Sequence, residues 1–176
     1  ILNLYSVRKK GSSKTLCFAG HTDVVPVGEE RKWRFNPFSA KIDKKKLYGR
    51  GASDMKGAIA AWILACEDVL KNNNLNISLA LLITGDEEGL AENGTKKVVQ
   101  WLKKEKIKVD HCLVGEPTNP EKIGDMIKIG RRGSLSLKLY FNGKAGHVAY
   151  PHLAKNPLND TVEVCSRIKK ISFSKK

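Results

Sequence analysis

The chain has 176 residues, 41% of them hydrophobic, which is enough to bury a core and to make one domain with part of another. Its formal net charge of +14 raises anionic partners, but the lysines are spread in short clusters without interleaved aromatics, which argues against a nucleic-acid module. The longest apolar run, Ala58 to Cys66, falls well short of the about 20 residues of a membrane span. The four cysteines (Cys17, Cys66, Cys112 and Cys165) form no CxxC pair, so no membrane partner and a reducing cytoplasm are expected.

Taken in order, Ile1 to Val7 predicts a strand, KKGSSK a turn, and Thr15 to Ala19 a second strand that ends in Gly20, His21, Thr22 and Asp23. A loop of about 20 residues follows, with Pro26, Trp33, Pro37 and Phe38, and loops that long are usually functional. Lys41 to Tyr48 reads as a short hairpin, and Gly49 to Gly51 as a flexible entry to a helix. From Met55 to Lys71 the residues Ile59, Trp62, Ile63, Cys66, Val69 and Leu70 recur at intervals of three and four, which predicts an amphipathic helix with Trp62 in the core. Asn72 to Asn74 ends it.

Ile77 to Gly89, ISLALLITGDEEG, then reads as a strand buried on both faces, because neither face alternates with polar residues. It delivers Asp86, Glu87 and Glu88 at its carboxyl end. Three adjacent carboxylates repel one another, so a cation is expected beside them unless they form only a solvated, helix-capping turn. Thr95 to Lys106 predicts a second amphipathic helix with Val98, Val99, Trp101 and Leu102 inward, and His111 to Gly115 a strand that stops at Glu116 and Pro117.

Strands alternating with helices imply an α/β layer on a mostly parallel sheet, in which sites form beyond the carboxyl ends of the strands. Here three such ends carry His21 with Asp23, Glu87 with Glu88, and Glu116, joined by Asp54 from the start of the first helix. Asp54 taken alone is also a plausible helix cap. Hard oxygen ligands mixed with imidazole suit zinc, with cobalt or manganese as substitutes, and a set of this kind with an open position is that of a catalytic site.

After Pro120 the texture changes. Met126 to Ile129 and Leu135 to Phe141 alternate as half-exposed strands do, NGK signals a turn, and Pro157 opens a helix to about Lys170 with Leu158, Val162, Cys165 and Ile168 on its inner face. This reads as the opening of a second domain. The chain starts without methionine and stops just after that helix, so it reads as a piece of a longer protein.

GHTDVVP, GRGASDMKG, GDEEG and VGEP, in this order, resemble the co-catalytic zinc exopeptidase and deacylase family that includes aminoacylase and carboxypeptidase relatives. The resemblance implies a zinc-dependent catalytic domain over 1–131 and the start of an α+β dimerisation or lid domain over 132–176. It also implies a homodimer, two zinc ions per complete subunit with cobalt possible, and a small anionic acyl-amino-acid substrate. Carried over by position, it makes His21, Asp54 and Glu116 ligands of the first zinc, with Asp54 the bridge, and gives Glu88 to the second. Glu87 becomes the general acid/base, the converse order of the two glutamates being the alternative, and Asp23 orients His21. His147, with His152 as the neighbouring alternative, matches a histidine that steadies the oxyanion in the partner subunit's site, and Arg131 or Arg132 one that holds a substrate carboxylate. The family's second zinc also takes a histidine from further along than this sequence runs. The chain is therefore expected to hold one metal better than two and to have little activity by itself. A metal-free relative and a basic nucleic-acid module are the readings from other classes.

Overall fold

The computed structural model describes residues 1–11, 14–72, 75–130, 133 and 135–171, and the chain divides into two compact units, Ile1–Lys128 and Ile129–Lys176. The first unit contains β1 (Leu4–Arg8), β2 (Thr15–His21), the hairpin β3 (Lys41–Asp43) and β4 (Lys46–Tyr48), helix α1 (Gly57–Asn72), β5 (Ser78–Thr84), helix α2 (Thr95–Lys104) and β6 (His111–Val114). Four of the strands form one sheet in the order β1-β5-β2-β6. β2 runs parallel to both β5 and β6, while β1 pairs antiparallel with β5 on the edge. The sheet is thus mixed but mostly parallel, with helices on its faces, as the alternation of elements predicts.

The LALLI segment explains the place of β5 inside the sheet. A strand apolar on both faces is stable only where both are covered: on one face Ser78, Ala80, Leu82 and Thr84 are at most 4% exposed, and on the other Leu79 is 9% exposed with Leu81 and Ile83 half-buried. On one face Cys17, Ala80 and Leu82 pack with Val98 and Leu102 of α2, flanked by Tyr5, Val7, Ile107 and Val109. On the other, Phe18 stacks on Trp62 of α1 with centroids 5.2 Å apart, which makes Trp62 a packing residue, as its spacing suggests. The helix α2 is narrower in its contacts than expected: Val98 and Leu102, four apart, are buried, whereas Val99 and Trp101 are 39% and 43% exposed. A ten-residue helix lying on a sheet covers one i, i+4 row, and Trp101 instead leans edge-on against Tyr5 at 5.9 Å. Along α1, Ile63 is likewise exposed, while Ile59, Trp62, Cys66, Val69 and Leu70 are half-buried.

The long loop between β2 and β3 is pinned to the hairpin by aromatic and arginine contacts. Arg50 lies over Trp33 at 5.0 Å, the Trp33 indole donates to the Val27 carbonyl at 2.9 Å, and Phe35 meets Tyr48 edge-on at 5.1 Å. Arg34 lies over Phe35 and reaches Asp43 at 3.1 Å.

The two segments expected as half-exposed strands, Met126 to Ile129 at the boundary of the units and Leu135 to Phe141 in the second, form no strand among the described residues. Alternation encodes an apolar face but not a partner. Ile127, Ile129, Leu135, Leu137 and Leu139 are each more than half exposed, so nothing pays for straightening the backbone. The helix α3 (Pro157–Lys169) does form where Pro157 predicts it, with the Asn156 side chain accepting from the Leu158 amide at 3.0 Å. Its apolar stripe does not face inward: Leu158, Val162 and Ile168 are 65%, 69% and 47% exposed. A β-bridge, Lys144 to Lys155, ties the loop before it. Among the described residues, no helix is long and apolar enough to cross a membrane.

Two measurements check this packing. Replacing Leu82, 4% exposed in the core, by alanine should lower the unfolding free energy by about 2–5 kcal/mol in urea titration; a loss well under 1 kcal/mol would contradict the core described. Asp110 accepts the Thr15 amide at 2.9 Å and binds Lys108 at 2.7 Å, joining the starts of β2 and β6, and the Lys108 ammonium followed by the Thr15 amide holds its carboxyl below the usual aspartate range. A carboxylate depressed on folding stabilises above its unfolded pKa and loses that contribution as pH falls through the folded one. The stability gap between wild type and Asp110→Asn should therefore be present at neutral pH and close in strong acid; a gap independent of pH would refute the contact.

Candidate metal centre

The parallel register builds the site. His21 pairs with Thr84 and Ala19 with Val114, so the ends of β2, β5 and β6 are level, and Glu116, two residues beyond Val114, stands level with His21. The Thr22 amide donates to the Thr84 carbonyl at 3.0 Å and locks the first two ends together. The glycines before the two candidate ligands let the rim close. A Cβ on Gly20 would lie 2.7 Å from the Met55 methyl, and one on Gly115 would lie 2.3 Å from Phe18 and 2.9 Å from Met55. Met55, fully buried, fills the space beneath the rim.

Asp54 is placed by an irregular turn, Ala52–Lys56, that precedes α1; its own backbone (φ −123°, ψ 95°) is not helical, and the Asp54–Met55 peptide is cis. The sequence places Asp54 at the start of the first helix, as a ligand or as a cap. In the fold it precedes α1, and its Oδ1 faces the rim, 3.1 Å from His21 Nε2.

His21 is the centre of the arrangement, at 2% exposure. Its Nδ1 meets the Asp23 carbonyl at 3.0 Å, an acceptor only, so Nδ1 carries the proton and Nε2 presents a lone pair. That lone pair points at carboxylate oxygens: Asp54 Oδ1 at 3.1 Å, Glu116 Oε1 at 3.5 Å and Glu87 Oε2 at 3.9 Å. Such an arrangement is repulsive unless a positive charge, proton or metal ion, sits among the four groups. For the proton, burial disfavours the imidazolium, but the Asp23 carbonyl and the carboxylates of Glu116, Glu87 and Asp23 outweigh it and raise the His21 pKa. For a metal, His21, Glu87 and Glu116 form one set whose donor atoms all lie within 4.8 Å of one another, and His21, Asp54 and Glu88 form another. One imidazole nitrogen with several carboxylate oxygens is a donor set that fits zinc, cobalt or manganese.

Asp23 touches His21 chiefly through its backbone carbonyl. One carboxylate oxygen lies 3.4 Å from Nδ1, is buried and has no hydrogen-bond partner; the other accepts the Glu88 amide at 2.9 Å. The remaining expected residues lie elsewhere. His147 is exposed in the second unit, where its Nδ1 accepts the Ala149 amide at 3.1 Å and its ring lies 5.9 Å from that of Tyr150. His152 stands edge-on to the same tyrosine at 6.3 Å. Arg131 and Arg132 lie outside the described residues. Sequence reasoning missed Met55 as the floor of the site, although the glycines directly before His21 and Glu116 are a legible sign that something packs close there.

The sequence profile of peptidase family M20/M25/M40 matches residues 17–172. Among curated proteins, the chain is similar to succinyl-diaminopimelate desuccinylases. It is 56% identical to that of Pelagibacter ubique over 99% of this chain and 46% of the relative. With that of Ehrlichia chaffeensis it shares 51% identity over 96% of this chain and 44% of the relative. The chain thus spans a little under half the length of these relatives. Among solved structures, it resembles an M20 family metallo-carboxypeptidase from Sulfolobus solfataricus (34% identity, TM-score 0.57, 64% of this chain and 25% of that one). Human carnosine dipeptidase 1 gives 29% identity and a TM-score of 0.56, over 64% of this chain and 24% of that one. With the family profile covering most of its length, the chain belongs to peptidase family M20/M25/M40.

Proposed function

We propose that this chain is the metal-binding part of an amidohydrolase that removes succinate from N-succinyl-LL-2,6-diaminopimelate. The observation that carries the reading is the buried His21, whose lone pair is faced by carboxylates from three separate segments. The choice of substrate rests on the identity to the desuccinylases, 56% and 51%, and on the segments NGTKKVV, GRRGSL and GHVAYPHLAKNP, which resemble that member of the family.

In this reading His21, Asp54 and Glu116 hold the first zinc, and Asp54 and Glu88 begin the site of the second. Zinc bound there supplies a Lewis acid that polarises the scissile carbonyl and acidifies a water. Glu87 takes a proton from the attacking water and hands it to the departing amine. It is suited to that task because it is adjacent to the ligands and about one-third exposed, so one face can meet substrate. Asp23 keeps His21 in the Nδ1–H form and, through the Glu88 amide, ties two ligand segments together. His147 accepts a backbone N–H at Nδ1, which leaves its proton on Nε2, the donor needed to steady an oxyanion in the site of a partner protomer. Arg131 or Arg132 holds a substrate carboxylate, and the excess of basic residues suits an anionic substrate.

Two outcomes test the proposal. Metal analysis of the purified 176-residue chain after dialysis against zinc should give close to one zinc per chain, lost in His21→Ala at unchanged secondary structure; a folded wild type that retains none would overturn it. In a version extended to the length of the relatives, succinyl-diaminopimelate should be turned over in preference to acetylornithine. There Glu87→Gln should lower kcat by about 10²–10⁴ while zinc is kept. Preference for acetylornithine would make the protein a different deacylase of the same family.

A further inference from the structure

Three adjacent carboxylates follow β5, and the reading above uses two. The third, Asp86, turns away from the rim: its backbone takes a φ of +68°, a left-handed conformation that aspartate tolerates better than most residues. One carboxylate oxygen accepts the Leu90 amide at 3.0 Å, and the other accepts the amides of Glu92 and Asn93 at 3.0 and 2.8 Å. We infer that Asp86 is a positioning residue whose carboxylate folds the 85–94 loop around itself and thereby presents Glu87 and Glu88 to the metal site. The inference deepens the metal-site reading and rests on it.

The loop is closed from both sides. From outside, the Asn3 side chain accepts the Gly85 amide at 3.3 Å and donates to the Asn93 carbonyl at 2.9 Å. At the neck, Gly94 stands so close to Gly85 that a Cβ would fall 2.2 Å from the Gly85 carbonyl oxygen. From inside, three N–H groups converge on Asp86. Two acceptor oxygens are needed for them; asparagine has one and would aim its own N–H₂ at a backbone donor, while glutamate is a methylene too long. The two candidate donor sets each include one carboxylate of this loop, Glu87 with His21 and Glu116 and Glu88 with His21 and Asp54, so a single zinc on the 176-residue chain draws on this loop to complete its shell, and Glu87 is left for proton transfer once the complete enzyme holds both ions. A loop free to move would have to lose that freedom at the moment of binding; held by Asp86, it has lost it already.

Gly89 provides the test, because a Cβ there would lie 2.6 Å from the Asp86 carboxylate and would displace it without changing the charge of the chain. Zinc affinity of the 176-residue chain, measured by competition with a chromogenic chelator, should fall about tenfold or more in Gly89→Ala, and similarly in Asp86→Asn. Amide exchange at Leu90, Glu92 and Asn93 should speed up in both variants. In a Glu87→Gln, Glu88→Gln background, where the loop has no carboxylate left to present, Gly89→Ala should change the affinity by less than about twofold. Equal losses in both backgrounds would mean that Asp86 only supports the fold, and unchanged affinity in Gly89→Ala would refute the inference directly. A wild type that binds no zinc would instead refute the metal site itself, so the two failures are distinguishable.

Discussion

The interaction on which the rest depends is the confrontation of one imidazole lone pair with several carboxylates at the edge of a parallel sheet. The Asp23 carbonyl fixes a proton of His21 on Nδ1, so in the neutral imidazole Nε2 has nothing to donate toward Asp54, Glu116 and Glu87. Negative charge gathered so tightly on a buried nitrogen is unfavourable by itself and becomes favourable only around a cation. The fold therefore gathers at its rim a donor set suited to a cation.

The sheet makes this possible through register. Parallel strands bring their carboxyl ends to one edge, and the pairing of His21 with Thr84 and of Ala19 with Val114 puts residues far apart in sequence at one height. Met55 and the two glycines above it set how closely those ends approach. Asp23 and Asp86 do related work with backbone amides: each spends carboxylate oxygens on N–H groups of the segment after β5, one at Glu88 and the other at Leu90, Glu92 and Asn93. The acidic cluster thus divides into carboxylates that face the candidate cation site and carboxylates whose partners are peptide dipoles.

That division shows what a sequence conceals. The run ISLALLIT declares a doubly covered strand because its composition leaves no face for water, and the helices declare themselves by period; both signals are local, and the fold agrees with them. The rim residues are legible because topology alone sends strand ends to one side. Asp86 is not legible, because beside Glu87 and Glu88 it looks like one more ligand, and its partners are amides, which the sequence does not distinguish. Asp54 sits near the start of a helix in the sequence but in a non-helical turn in the fold. Beyond Lys128 the apolar alternation is real, yet a strand needs a neighbour and the apolar stripe of α3 needs a surface, and neither requirement is written in the segment itself.

X-ray absorption at the zinc edge of the zinc-loaded chain tests the central claim most directly. A shell of oxygen and nitrogen at about 2.0–2.2 Å with the outer scattering of a single imidazole is predicted. A sulfur shell at about 2.3 Å, or no imidazole scattering, would place the metal on cysteine or elsewhere and contradict the account.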